Sequence, residues 1–181
     1  AQYKDNCYKF RQDSVFLYYF GIDEPHCAAV IDFDSGEEII FANDKDIEDI
    51  IWMGEQESVQ NIASKVGIKQ SAPYNKLSSF IDKCKANNRR IHFLPQSRTD
   101  SYLTISRLLS LPFTTEDDIK KEVSEGLLEA VISMRLVKED CEIEAIDLAC
   151  DLGYQMHLIA KDNAKIGVLE QDIVGKMEGF S

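Results

Sequence analysis

The sequence predicts an α/β fold, a mixed β-sheet flanked by helices, and three observations carry that prediction. Across residues 1–133, short apolar runs bounded by turn residues alternate with segments of helical periodicity. Two of those runs are joined by Asp34-Ser35-Gly36-Glu37, whose turn chemistry marks a strand pair. From residue 139 to residue 160, apolar side chains recur three and four apart, which marks one long helix.

Residues 1–9 show no periodicity and lead in as extended chain. Ser14 ahead of Phe16, Tyr18 and Tyr19, with Gly21 behind them, predicts an N-capped helical turn and a glycine stop. The paired strands are predicted at 27–33 and 39–42, and a short amphipathic helix at 45–52. Residues 58–66 place Val59, Ile62, Ala63 and Val66 on one helical face, and Gly67 stops them. Pro73 suits a helix start, and Leu77, Phe80, Ile81 and Cys84 continue at helical spacing to Asn87-Asn88. The apolar run Ile91-His92-Phe93-Leu94 predicts a buried strand closed by Pro95.

A short helix is expected within 96–111 from Tyr102, Ile105, Leu108 and Leu109, and Pro112 breaks it. Thr115-Glu116-Asp117-Asp118 looks like a cap with an acidic first turn, opening one or two helices that run to Met134. In the long helix, Ile143, Ile146, Cys150 and Gly153 are flanked by Leu148, Leu152, Met156 and Ile159. That apolar face is broader than one partner helix covers, so it predicts a dimer or a helix packed back on its own N-terminal domain. Lys165-Ile166-Gly167 turns the chain into a last helix from Val168.

Composition excludes several function classes. A formal charge of -12 argues against a nucleic-acid surface, since phosphate neutralisation needs clustered Lys and Arg. The nearest basic cluster, Lys83, Lys85, Arg89 and Arg90, fits the cationic end of a helix. No apolar run approaches the ~20 residues that cross a bilayer. No signal peptide is visible, although Ala1 rather than Met opens the sequence. Five cysteines, an odd count without C-x-x-C, favour reduced thiols and a cytoplasmic setting.

Chemistry-bearing residues do not assemble into a motif. His26, His92 and His157 lie more than sixty positions apart, without the spacing of a metal site. Asp32, Asp34, Glu37 and Glu38 surround a turn and read as solvated charges. Ser14 has no nucleophile signature around it. Residues 175–179 lack the spacing of a phosphate loop.

The order of local motifs is more specific. Phe10-Arg11-Gln12-Asp13-Ser14, then Tyr19-Phe20-Gly21-Ile22-Asp23-Glu24-Pro25, two strands, and Ile51-Trp52-Met53-Gly54 resemble the N-terminal domain of Xaa-Pro aminopeptidases. That family sits in the creatinase, prolidase and methionine aminopeptidase superfamily. Downstream, Met134-Arg135-Leu136-Val137-Lys138, then Cys141-Glu142-Ile143-Glu144 and a long helix, resemble the lead-in to its catalytic domain.

The resemblance implies a ribonuclease-H-like mixed sheet over residues 1–133. Residues 134–181 would then be a linker and the first two helices of a pita-bread catalytic domain. It implies a metal-dependent hydrolase cutting before proline in proline-containing peptides, working as a homo-oligomer. Two divalent ions, manganese by family habit, would be held by two Asp, one His and two Glu, all expected beyond Ser181. No catalytic residue, metal ligand or cofactor is therefore assigned within this chain, which is expected to be inactive alone. Two substrate-pocket residues carry over: Trp52, as a wall of a neighbouring subunit's pocket, and Asp5, as a partner for the substrate's free ammonium group.

Their structural alternatives are a core or interface tryptophan and a loop acid. Relatives carry a helix and a strand ahead of the Phe10 motif, and this sequence has neither, which leaves a sheet edge unpaired. A prolidase cleaving Xaa-Pro dipeptides is an alternative, as is a pseudo-peptidase domain that binds without metals.

Overall fold

The computed structural model describes residues 10–112 and 115–181, and the chain divides into two compact units, Ala1–Ser124 and Glu125–Ser181. In the first unit the elements run α1 (Ser14–Phe20), β1 (Ala28–Asp32), β2 (Glu37–Phe41), α2 (Ile47–Met53), α3 (Val59–Lys65), β3 (Gln70–Ala72), α4 (Lys76–Ala86), α5 (Thr99–Leu109) and α6 (Glu116–Lys120). The sheet has the order β1-β2-β3. β1 and β2 form an antiparallel hairpin pairing Ala28 with Phe41 and Asp32 with Glu37. β3 joins parallel to β2, Ile39 opposite Gln70 and Phe41 opposite Ala72. The sheet is mixed and flanked by helices, as the sequence predicts.

Alternation along β2 builds two cores from one strand. Ile40 faces Ile22, Ala63 and Ile68, with Phe16 and Phe20 of α1 and Val59 and Ile62 of α3 packed around them. Phe41 faces Leu77 and Ile81 of α4, joined by Phe80, Ile91, Leu108 and Leu109. The result is three layers, with α1 and α3 on one side and α4 and α5 on the other. Among the described residues β1 has a neighbour only in β2, so its outer edge is unpaired.

The turns explain why the chain folds this way locally. Asp32 accepts the backbone N–H groups of Asp34 and Ser35 at 3.0 and 3.2 Å, and Gly36 takes φ 72° to close the hairpin. Arg89, just past α4, donates to the same carboxylate through its two terminal guanidinium nitrogens, Nη1 and Nη2, at 2.7 and 2.5 Å, and Nη2 also reaches Asp34 at 2.8 Å. The Arg89 hydrogen bonds, and then the Ser35 N–H, hold the Asp32 carboxyl well below the usual carboxylate range. Asp32 raises the Arg89 guanidinium in return. This clamp ties the hairpin to the end of α4 and converts part of the basic cluster into an internal ion pair.

Three local expectations change. The cap of α1 is Asp13, not Ser14: its carboxylate accepts from Val15 and Phe16 N–H at 2.9 and 3.0 Å, and Ser14 is the first helical residue. Residues 91–94 form no strand. The Leu94 carbonyl accepts from the Gln96 side chain at 2.8 Å instead of from a ladder, while Ile91 still packs on the Phe41 core. Conversely, β3 is a strand that the sequence does not announce, three residues immediately before Pro73.

The second unit contains α7 (Glu125–Leu136), α8 (Asp140–Asn163) and α9 (Glu170–Phe180). The Glu139 N–H donates to Glu142 at 3.0 Å at the start of α8, and Gly167 at φ 88° turns the chain toward α9. Lys176 of α9 donates to Asn163 at the end of α8. Ile143, Ile146, Leu148 and Leu152 on α8 are exposed in the single chain.

Candidate functional site

Of the two residues that the resemblance singles out, Trp52 lies in a surface segment, 43–57, in the crossover between β2 and β3. Both ends of this segment are anchored. Asn43 accepts from the Tyr74 N–H at 2.9 Å, and Asp44 accepts from the Val59 N–H at 2.7 Å, fixing the departure from β2 against the start of α3. Asp46 and Asp49 then form a reciprocal capping box: Asp46 Oδ1 accepts from the Asp49 N–H at 2.9 Å, and Asp49 Oδ2 accepts from the Asp46 N–H at 3.3 Å. At the other end Gly54 turns at φ 80°, and the Gln56 amide donates to the Met53 carbonyl at 3.2 Å. Lys65 pairs with Glu57.

Held this way, α2 presents its side chains outward. Trp52 is 80 % exposed, Ile47 78 %, Met53 74 % and Ile51 73 %. The amphipathic pattern at 45–52 correctly marks a helix, but its apolar side chains are not buried in the single chain. Of the three readings of Trp52 (pocket wall, core residue, interface residue), burial in a core does not fit these exposures, which suit the other two equally. Asp5 lies outside the described residues. A shallow depression of about 160 Å³ lies beside the segment, lined by Asn43, Asp44, Gln60 and Ser71 among others. Its polar groups already serve one another, Ser71 donating to Gln60 at 2.8 Å.

The Phe10 motif has a structural task that its sequence only partly shows. Gln12 donates to the carbonyls of Ile22 and Glu24 at 3.2 and 2.9 Å and accepts from the Asp13 N–H at 2.9 Å. It therefore pins the chain that leaves α1 back onto the start of the motif. The histidines stay apart: His92 shares a 2.9 Å hydrogen bond with Ser124, and His157 lies on the surface of α8. Among the described residues, no group of three or more His, Cys, Asp and Glu comes together to hold a metal ion. The described side chains therefore do not fit a dinuclear centre.

Residues 1–92 match the family model "Aminopeptidase P, N-terminal domain". Human Xaa-Pro dipeptidase is 26% identical over 173 residues, which are 94% of this chain and 34% of the relative. Human Xaa-Pro aminopeptidase 3 is 23% identical over 177 residues, again 94% of this chain and 34% of the relative. The chain thus spans about a third of the length of the curated relatives it matches.

Among solved structures, zinc-substituted Escherichia coli aminopeptidase P in complex with product matches at a TM-score of 0.73 and 17% identity, covering 99% of this chain and 42% of that one. Pseudomonas aeruginosa aminopeptidase PepP matches at 0.74 and 18%, covering 98% and 42%. These likenesses establish the shared fold. The family match covers half of the sequence, and with it the chain belongs to the aminopeptidase P N-terminal domain family.

Proposed function

We propose that this chain is the non-catalytic N-terminal portion of a metal-dependent Xaa-Pro aminopeptidase. In the complete protein it would support subunit assembly and wall the substrate pocket of a neighbouring subunit with Trp52. The observation that carries the reading is the exposure of Trp52 on an anchored helix, inside the segment matched by the family model. A tryptophan left outside a folded core has apolar area to give to a second surface. Asp5 is proposed as the acid that meets the substrate ammonium.

Residues 134–181 are proposed as the linker and first two helices of a catalytic domain, in which the apolar face of α8 would be covered. Two divalent ions, manganese in this reading, would supply the nucleophile and polarise the scissile carbonyl from residues outside this chain. Proline-containing peptides are the proposed substrates, a homo-oligomer the proposed assembly and the cytoplasm the proposed compartment. No helix among the described residues is long and apolar enough to cross a membrane. A dipeptidase is the second reading, favoured by the 26% match to the human Xaa-Pro dipeptidase.

The test is Trp52→Ala in the complete protein. The account expects kcat/KM for an Xaa-Pro peptide to fall about tenfold, the size of one lost aromatic contact. Thermal stability of the 181-residue chain by itself should be unchanged by the same substitution, because there the side chain is 80 % exposed. An unchanged kcat/KM would remove Trp52 from the pocket.

A further inference from the structure

Residues 43–57 are all exposed, whereas Ala42 before them and Val59 after them pack on the core that holds Ile40. Within this excursion α2 is closed at both ends. The Asp46–Asp49 box caps its start, and the Gly54 N–H donates to the Ile50 carbonyl at 2.9 Å at its end. Seven residues are too few for a helix to persist in water on propensity alone, and no residue of α2 is buried. Its placement therefore depends on the side chains at the base of the excursion.

Among the described residues, three side chains of this segment bond to the chain outside it. Glu57 pairs with Lys65, but both side chains are more than half exposed, and such a pair adds little. Asn43 accepts from the Tyr74 N–H at 2.9 Å and fixes only the point of departure. Asp44 links both ends. Its Oδ1 accepts from the Val59 N–H at 2.7 Å, fifteen residues further on, and so joins the outgoing chain to the returning one. Val59 opens α3, where free N–H groups and the helix dipole favour a carboxylate. The bond closes residues 44–59 into a loop with a neck, and compact loops with adjoining ends are frequently functional. Trp52 lies midway between those ends in sequence.

We propose that Asp44 is a positioning residue: it latches the neck of loop 44–59 and thereby sets where α2 presents Trp52. It acts through the helix it holds and needs no contact with substrate. With the neck open, the two ends of the loop separate and α2 loses its fixed direction, while the core behind Ala42 and Val59 stays packed. The indole then spends part of its time away from the place it serves, and the competent arrangement is populated less. The inference rests on the reading that Trp52 walls a pocket, and it adds the residue that holds Trp52 there.

Trp52 is the only tryptophan, so its fluorescence anisotropy in the 181-residue chain reports the motion of α2 directly. Asp44→Ala should lower that anisotropy while the amides of β2 stay protected from hydrogen exchange, which shows that the fold persists. Asp44→Asn keeps an acceptor oxygen and should restore most of the anisotropy. Glu55→Gln removes a charge from the same loop without touching the neck, and should leave it unchanged. In the complete protein, Asp44→Ala should lower kcat/KM for an Xaa-Pro peptide about fivefold, less than the loss of the ring itself. Asp44→Ala/Trp52→Ala should be no worse than Trp52→Ala alone, because the two changes act through one contact.

Unchanged anisotropy in Asp44→Ala, no recovery in Asp44→Asn, or losses of activity that multiply in the double variant would each overturn the proposal. If Trp52→Ala lowers activity and Asp44→Ala does not, the pocket reading survives and the latch falls. If Asp44→Ala frees Trp52 in the 181-residue chain but Trp52→Ala leaves activity unchanged, the latch stands and the pocket reading falls.

Discussion

Phe41→Ala lowers the stability of the first compact unit by about 3–5 kcal/mol, the range for truncating a buried aromatic. Phe41 is 2 % exposed on the middle strand of the sheet, its ring 5.7 Å from that of Phe80 and packed against Leu77 and Ile81. Removing it opens a cavity where sheet and α4 meet, and neither a paired strand nor a packed helix can collapse freely to refill it. A domain's whole margin is about 5–15 kcal/mol, so one truncation here consumes much of it. Phe33→Ala is the matched comparison. Phe33 lies just past β1 at 76 % exposure, and its loss should change stability by less than about 0.5 kcal/mol. Denaturant unfolding of both variants measures the difference. Similar losses would contradict the placement of the core.

Gly21→Val should cost about 2–4 kcal/mol, from two causes that act together. Gly21 ends α1 in the left-handed region at φ 61°, with its N–H on the Leu17 carbonyl at 2.8 Å. A β-branched residue is strained in that conformation. A Cβ there would also meet Cγ1 of Val66 at 3.2 Å, so the end of α3 would have to yield. Gly153→Ala is the control: α8 holds Gly153 in helical conformation with nothing within 4 Å of a new Cβ, and the change should be neutral or stabilising by up to about 1 kcal/mol. Thermal melts of the two variants should move in opposite directions or, at the least, differ by several degrees.

The contrast between these glycines shows what was legible in the sequence. Gly21 closes a local motif, and α8 is a long periodic segment with its own cap, so neighbouring residues suffice to identify both. The hairpin was equally plain, because Asp32 and Gly36 build its turn from within. β3 was hidden: three largely polar residues become a strand only because β2 lies beside them. Residues 91–94 show the reverse, an apolar run whose carbonyl finds a side chain rather than a ladder.

The Asp32–Arg89 clamp joins positions 57 residues apart, and no spacing rule reaches that far. For the candidate site, the resemblance pointed to Trp52, but periodicity could not say whether its helix is covered. Only the three-dimensional arrangement shows Ile47, Ile51 and Met53 exposed with it.

As proposed above, these residues would shape and assemble a peptidase whose reacting groups lie elsewhere. That proposal is tested most directly by incubating the purified 181-residue chain with an Ala-Pro-containing tripeptide, with manganese or zinc added, and following release of the N-terminal alanine. The account predicts no release above that of peptide and metal alone. Metal-dependent release that saturates with peptide and scales with the amount of this chain would contradict it.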